Sequence, residues 1–249
     1  MVPSEQLEPR KFRVITYIDG FNLYFGIRNE AFKQGTRDEP HAGWYRFMWL
    51  DVTKLSSGLL TSQQSLVITK YFTSQISGSK DKEARQNAFL DALRTLPLIS
   101  FTFGHFQNDP KECDNCGHRA YHPQEKKTDV NIATHLICDA VADEFDTAIL
   151  VTADSDLVPA VQAVHKLRPE KRVIAAFPPS RNSKELEDVT GFRALRIRDS
   201  LLRKCLLPER IIRPGLPDVI RPFKYSGIPG CTARMYEPNF IRKPIREEI

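Results

Sequence analysis

Aspartates follow two apolar runs of this chain. Asp19 comes directly after Val14-Ile15-Thr16-Tyr17-Ile18, and Asp154 and Asp156 come just after Ala148-Ile149-Leu150-Val151-Thr152. Runs of this length, rich in β-branched residues, read as buried strands. In an open α/β sheet the carboxyl ends of the strands border the crevice in which ligands bind, so the acids at those ends are expected to converge. Converging carboxylates repel and raise one another's pKa unless a hard divalent cation such as Mg²⁺ or Mn²⁺ neutralises them. The chemistry these residues suggest is that of a metal-dependent enzyme.

A third acid, Asp129, opens the segment Lys126-Lys127-Thr128-Asp129-Val130-Asn131. It precedes the clearest helical stripe of the chain, Ile132, Ala133, Leu136, Ile137, Ala140 and Val141, with Thr128 placed to cap the helix start. Asp129 lies on the stripe and is expected to face inward. Either the helix dipole stabilises it there or it pairs with a cation. Asp139 is ten residues further along the same helix, about 15 Å away, too far to share an ion with Asp129. Asn22 falls one turn after Asp19 and can face the same crevice. Asp19 itself has two readings: a cap for the following helix or a metal ligand.

The elements that must carry these residues alternate. Strands are expected at Arg13–Ile18, Ser65–Thr73, Leu98 to about Phe106, Thr147–Thr152, Arg172–Phe177 and Phe192–Ile197. Helices are expected at Phe21–Ala31, Asp81–Leu96, after Thr128, from about Ser155 to Leu167, near Ser183–Val189 and at Asp199–Leu206. Strands and helices alternating at this length imply an α/β fold with a mostly parallel central sheet covered on both faces. Residues 1–11 read as an N-terminal tail and 12–207 as one domain, with a polar insertion at 106–126. Seven of the 17 prolines fall from Pro208 onward, so 208–249 reads as a proline-rich, extended C-terminal arm able to wrap a partner chain or a second copy. The aromatic group Trp44, Tyr45, Phe47 and Trp49 either packs a loop over the core or offers a platform on which bases stack.

The insertion holds a C-x2-C pair, Cys113 and Cys116, with His105, His118 and His122 nearby. Thiolates and imidazoles at such spacing suit a tetrahedral structural Zn²⁺. His105 and His122 bracket the insertion and are the preferred completing ligands; free thiols or a redox pair are the alternative.

At 249 residues, 41% hydrophobic and 27% charged, the chain suits a globular domain with extensions. No run approaches the apolar length of a membrane helix, and the first residues lack the apolar core of a signal peptide, so no membrane partner and a cytoplasmic location are expected. Five cysteines without an even framework agree with that. A formal charge of +5 mildly favours a polyanionic partner. A phosphatase of the haloacid dehalogenase type needs a second Asp two residues after the first, where this chain has Phe21. Neither a P-loop nor a dinucleotide glycine pattern occurs.

The motifs YIDGFN, EKKTDVNIA and LVTADSDLVPAV, in that order over roughly residues 12–200, resemble the NYN domain, a PIN-like nuclease family that includes bacterial LabA-type proteins. The resemblance implies a PIN-like, Rossmannoid three-layer sandwich and Mg²⁺- or Mn²⁺-dependent hydrolysis of RNA. It implies metal-binding roles for Asp19, Asp129, Asp154 and Asp156, with Asn22 assisting. Where many family members carry another acid two turns into the Asp129 helix, this chain has His135, either a packed helix histidine or a weak ligand and proton shuttle. Carboxylate-bound Mg²⁺ polarises a phosphate and activates a water for in-line attack. Lys126, Lys127 and Arg181 are candidates for holding the phosphate. The alternative is a non-catalytic RNA-binding or regulatory module that keeps the fold.

Overall fold

The computed structural model describes residues 10–36, 39–112 and 119–230, and between 105 and 126 the backbone alone. Strand β1 (Phe12–Asp19) runs into helix α1 (Gly20–Gln34) without a loop. Two short helices follow, α2 (Ala42–Tyr45) and α3 (Val52–Gly58), then β2 (Gln64–Thr73), α4 (Lys80–Leu93) and β3 (Ile99–Phe103). An antiparallel hairpin of β4 (His105–Glu112) and β5 (Arg119–Lys126) leads to α5 (Thr128–Val141). The second half reads β6 (Thr147–Val151), α6 (Val158–Leu167), β7 (Arg172–Phe177), α7 (Lys184–Thr190), β8 (Leu195–Arg196) and α8 (Asp199–Lys204).

Six strands form one sheet in the order β3-β2-β1-β6-β7-β8, and every pairing is parallel. Alternation along β1 explains the layers. Val14 and Ile18 face one way, into a core with Leu23 and Ile27 of α1, Leu55 of α3 and Leu90 of α4. Ile15 and Tyr17 face the other way, against Ile132 and Leu136 of α5, Val161 of α6 and Leu186 of α7. A strand buried on both faces must be apolar throughout, as these are. From β1 the chain winds outward to β2 and β3, then returns to lay β6, β7 and β8 on the other side. The winding direction reverses between β1 and β6, and at such a switch point the flanking loops part to leave a crevice.

Three expectations need correction. The proline-rich stretch from 208 does not stand off as an arm as far as residue 230. Its β9 (Arg210–Ile211) and β10 (Val219–Ile220) pair, and Val219 and Tyr225 are buried in the core, while Trp49 donates its indole N–H to the Pro208 carbonyl at 2.8 Å. Residues 231–249 lie outside the described residues. The aromatic group packs into the core: Tyr45, Phe47 and Trp49 are buried, Trp49 completely, so they form no platform on the outer surface, although Tyr45 and Phe47 turn part of their rings to an internal chamber. Thr128 does not cap α5; the cap position is Lys127, in the left-handed region at φ 79°, and Thr128 is the first helical residue, buried against Ser74.

The insertion is the β4–β5 hairpin. Cys113, Cys116 and His118 lie outside the described residues, and of His105 and His122 the backbone alone is described. His105 opens β4 and pairs with Lys126, whereas Glu112, next to Cys113 in sequence, ends it. His122 pairs with Asp109 on β5, nearer the turn.

Candidate metal centre at the strand ends

The parallel register of β1 and β6 sets Ile18 level with Val151. One step further, Asp19 comes level with Thr152, and two residues beyond lies Asp154. The Thr152 hydroxyl donates to Asp19 Oδ2 at 3.2 Å and accepts the Asp154 backbone N–H at 3.2 Å. A single threonine thus links the two acidic strand ends.

Each of these aspartates also caps the element that follows it. Asp19 Oδ1 accepts the Asn22 N–H at 2.9 Å, and Asp154 Oδ1 accepts the Asp156 N–H at 3.0 Å at the start of a 3-10 turn, Ser155–Leu157. Such caps contribute about 1 kcal/mol each. Pro159 sits in the first turn of α6, where a missing N–H costs no hydrogen bond. For Asp19 the two readings of the sequence are therefore compatible: one oxygen caps, and the carboxylate still faces the crevice. Asn22 turns its side-chain oxygen to the Ala153 N–H at 3.2 Å, fastening α1 to the loop after β6.

Asp129 arrives from the opposite layer on the first turn of α5. Asp19, Asp129 and Asp154 each present a carboxylate oxygen, and these three atoms lie within 4.8 Å of one another. Asp19 is buried, and the other two are half-buried. Around Mg²⁺ or Mn²⁺ at about 2.1–2.2 Å, neighbouring oxygens stand about 3.0–3.1 Å apart and opposed ones about 4.2–4.4 Å, so the three carboxylates share one ion after an inward turn of their side chains. An all-oxygen, anionic donor set suits a hard divalent cation rather than a thiophilic one.

The other predicted residues are distributed around this centre. Asp156 is exposed and outside the cluster; its backbone N–H, not its carboxylate, reaches Asp154. His135 also stays outside. It packs edge-on to Phe72 with ring centroids 5.3 Å apart, and burial, then Lys70, push its pKa below the usual histidine value against the pull of Asp139. The packed-histidine reading is the one that fits. Asp139 is committed elsewhere, accepting the Tyr17 hydroxyl and the Lys70 ammonium, each at 2.6 Å. Lys127 is exposed at the start of α5, and the side chain of Lys126 lies outside the described residues. Arg181, on the loop after β7, is half-buried, and its Nε is buried with no hydrogen-bond partner among the described residues.

Two features escaped the sequence. Thr152 stands in the second acidic motif, immediately after the strand, yet only the register reveals that it meets Asp19. The second feature is a chamber beside the triad of about 400 Å³, lined by aromatic side chains of α1, α4 and their neighbours. Its signal was the helical spacing of Phe21, Tyr24 and Phe25 directly after Asp19.

A parallel sheet with three carboxylates gathered at its switch point defines a class: α/β proteins built to hold a cation at the strand ends. The chain belongs to the NYN domain family, whose model matches residues 13–195, and so to the PIN-like nuclease superfamily. A 6-hydroxy-3-succinoylpyridine 3-monooxygenase of Pseudomonas putida is 26% identical to it, over 91% of this chain and 79% of that protein. A crystal structure of a protein of unknown function from Vibrio parahaemolyticus is 20% identical, covers 81% of this chain and 99% of its own, and superposes with a TM-score of 0.46. No helix among the described residues is long and apolar enough to cross a membrane.

Proposed function

We propose that the protein is a metal-dependent ribonuclease. The observation that carries this reading is the approach of Asp19, Asp129 and Asp154 from three separate elements to within 4.8 Å. Asp19, Asp129 and Asp154 would hold Mg²⁺ or Mn²⁺, which supplies Lewis acidity and a water of lowered pKa. The protein's own part is to hold the carboxylates in place. The Thr152 hydroxyl and the two capping N–H groups fix Asp19 and Asp154 before any ion arrives, and the Asn22 amide keeps the α1 end against the β6 loop. Arg181 brings a guanidinium with an unsatisfied Nε to the carboxyl end of β7, and Lys127 stands at the N-terminus of α5; both suit a phosphate oxygen on which charge develops. Asp156 contributes its backbone N–H to the cap of Asp154. RNA as partner and a cytoplasmic location belong to this reading, as does a structural zinc on Cys113, Cys116, His105 and His122.

The test is cleavage of a labelled single-stranded RNA by the full chain with Mg²⁺, with Mn²⁺ and with EDTA, alongside Asp19→Asn and Asp154→Asn. Metal-dependent cleavage lost in both variants is expected. RNA bound equally with and without metal and recovered uncut would instead establish the binding module.

A second reading draws on the aromatic chamber and on the Pseudomonas relative, whose name describes oxygenation of a pyridine ring. On that reading a small heteroaromatic occupies the chamber, with dioxygen and a two-electron reductant as co-substrates. Dioxygen uptake dependent on a hydroxypyridine and a reductant would establish it; none is expected.

A further inference from the structure

The aromatic chamber lies between α1 and α4 and is closed on one side by the 3-10 turn Phe223–Tyr225. Gly20 and Phe21, Tyr71 and Thr73 put it at the carboxyl ends of β1 and β2. Its position is thus tied to the acidic triad: Gly20 follows Asp19, with their Cα atoms about 3.8 Å apart. A volume of about 400 Å³ falls among ligand-binding pockets rather than packing voids.

Two properties of the wall identify an occupant. Tyr24, Tyr45, Phe47, Phe89 and Tyr225 surround the space with ring surface, which suits a flat π-system. Arg28, Lys82, Arg85 and Lys224 also line it, and among the described residues no acidic side chain does. A pocket that served only apolar packing would have no use for four cations. Arg85 and Tyr225 line the chamber together, the guanidinium close enough to oppose the upward push of burial on the Tyr225 hydroxyl, while Lys82 is exposed one turn earlier on α4. Rings inside and cations around them match a ligand that is aromatic at one end and anionic at the other.

We infer that the chamber binds one unpaired nucleotide, its base among the aromatic rings and its phosphate on Arg85 and Lys82. The inference rests on the ribonuclease reading and adds to it a subsite beside the metal centre. With Gly20 in its wall and Asp19 next to Gly20 in the chain, the subsite sets which linkage meets the triad and restricts cleavage to unpaired RNA. The nucleotide is either free or a unit of a longer strand; both present the same ring and phosphate.

The experiment is calorimetric titration of the full chain in EDTA, where cleavage plays no part. The probes are adenosine and uridine 5′-monophosphates, ribose 5-phosphate, pyridine-3-carboxylate, and a short single-stranded RNA with and without one abasic position. Either monophosphate should bind, with ribose 5-phosphate at least about tenfold weaker, because stacking one base is worth on that order. Lys82→Glu and Arg85→Gln should each weaken nucleotide binding about tenfold, as expected for one charge-assisted contact, with unfolding temperatures checked in parallel. Tighter binding of the strand than of the monophosphates, reduced by the abasic position, assigns the subsite to RNA; equal binding assigns it to free nucleotide. Equal binding of ribose 5-phosphate, indifference to both substitutions, or binding of the pyridine carboxylate alone would overturn the inference. Nucleotide binding without cleavage in Mg²⁺ would remove the nuclease reading and leave the subsite standing; cleavage without nucleotide binding would do the reverse.

Discussion

Replacing Asp154 by Asn tests whether the triad is strained by its own charge. Asn keeps the shape and an oxygen to accept the Asp156 N–H, so the cap survives in neutral form. What disappears is repulsion from Asp19 and Asp129. At the 4.8 Å limit of their separation, each pair costs about 0.9 kcal/mol in a water-like medium and about 3.5 kcal/mol at an effective dielectric of 20. Asp129 and Asp154 are half-buried, so the screened end applies, and relief of two pairs returns about 2 kcal/mol. The neutral cap is weaker than the charged one by about 1 kcal/mol. In EDTA the variant should therefore be more stable by about 1 kcal/mol, a rise of about 2–4 °C in unfolding temperature for a chain of this size. Mg²⁺ and Mn²⁺, which should stabilise the parent protein in proportion to their concentration, should no longer do so. The assay is thermal unfolding followed by circular dichroism, with EDTA and across a metal series. An unchanged or lower unfolding temperature in EDTA together with an intact metal response would refute the argument, since the carboxylate would then neither repel its neighbours nor bind the ion.

Other perturbations test the scaffold. Lys70 and Asp139 form a nearly buried ion pair, with side-chain exposures of 16% and 13%, so Lys70→Met should destabilise by about 3–5 kcal/mol in urea unfolding, while Lys70→Met with Asp139→Leu should recover most of that. Trp49→Ala empties a fully buried site and removes the bond to Pro208; a loss of about 3–5 kcal/mol is expected, with earlier protease access to the chain after 208. The carboxyl of Asp143 is held down to about 2 by Lys171 first and then Arg13, against an unperturbed 3.8. Because the folded value is the lower one, this stability is present above about pH 4 and lost as pH falls through about 2. Asp143→Asn should flatten the acid limb of a urea-midpoint series between pH 5 and 2. Cys205 is buried, with its thiol pushed up to about 11, and should resist alkylation until unfolding, whereas exposed Cys138 should react in the native protein.

The alternating pattern was legible because a parallel sheet buries its strands on both faces. Apolar runs such as Ala148–Val151 and the stripe of α5 have few other readings. The acids were legible for a related reason, since a charged residue directly after such a run marks the strand's carboxyl end. The short helices α2 and α3 were not, because four to seven residues give too few turns for a helical period and their aromatics pack in several directions. The fit of 208–230 was hidden for another reason. Its anchors, Val219 and Tyr225, are single apolar residues among prolines, and their partners in α1, α3 and α4 are over a hundred positions away. Asp156 shows the limit of motif spacing. It stands only two residues beyond Asp154, but in the 3-10 turn its side chain is exposed and only its N–H reaches Asp154.

The premise that gathered carboxylates require a cation also changes. Asp19 and Asp154 each accept a backbone N–H from the element they cap, and Asp129 sits on the first turn of α5, where the helix dipole favours a negative charge. Each such cap gains about 1 kcal/mol, comparable with the roughly 1 kcal/mol per pair of screened repulsion. The fold can therefore hold the triad together with no ion bound. That matters for binding, because an ion entering such a site meets ligands already in place and spends little of its affinity on ordering them. The same reasoning explains why the acids lie where strands turn directly into helices. The junctions after β1 and β6 join the outward aim of a strand end to the first N–H groups of a helical turn, and the first turn of α5 brings Asp129 to meet them at the reversal of the sheet.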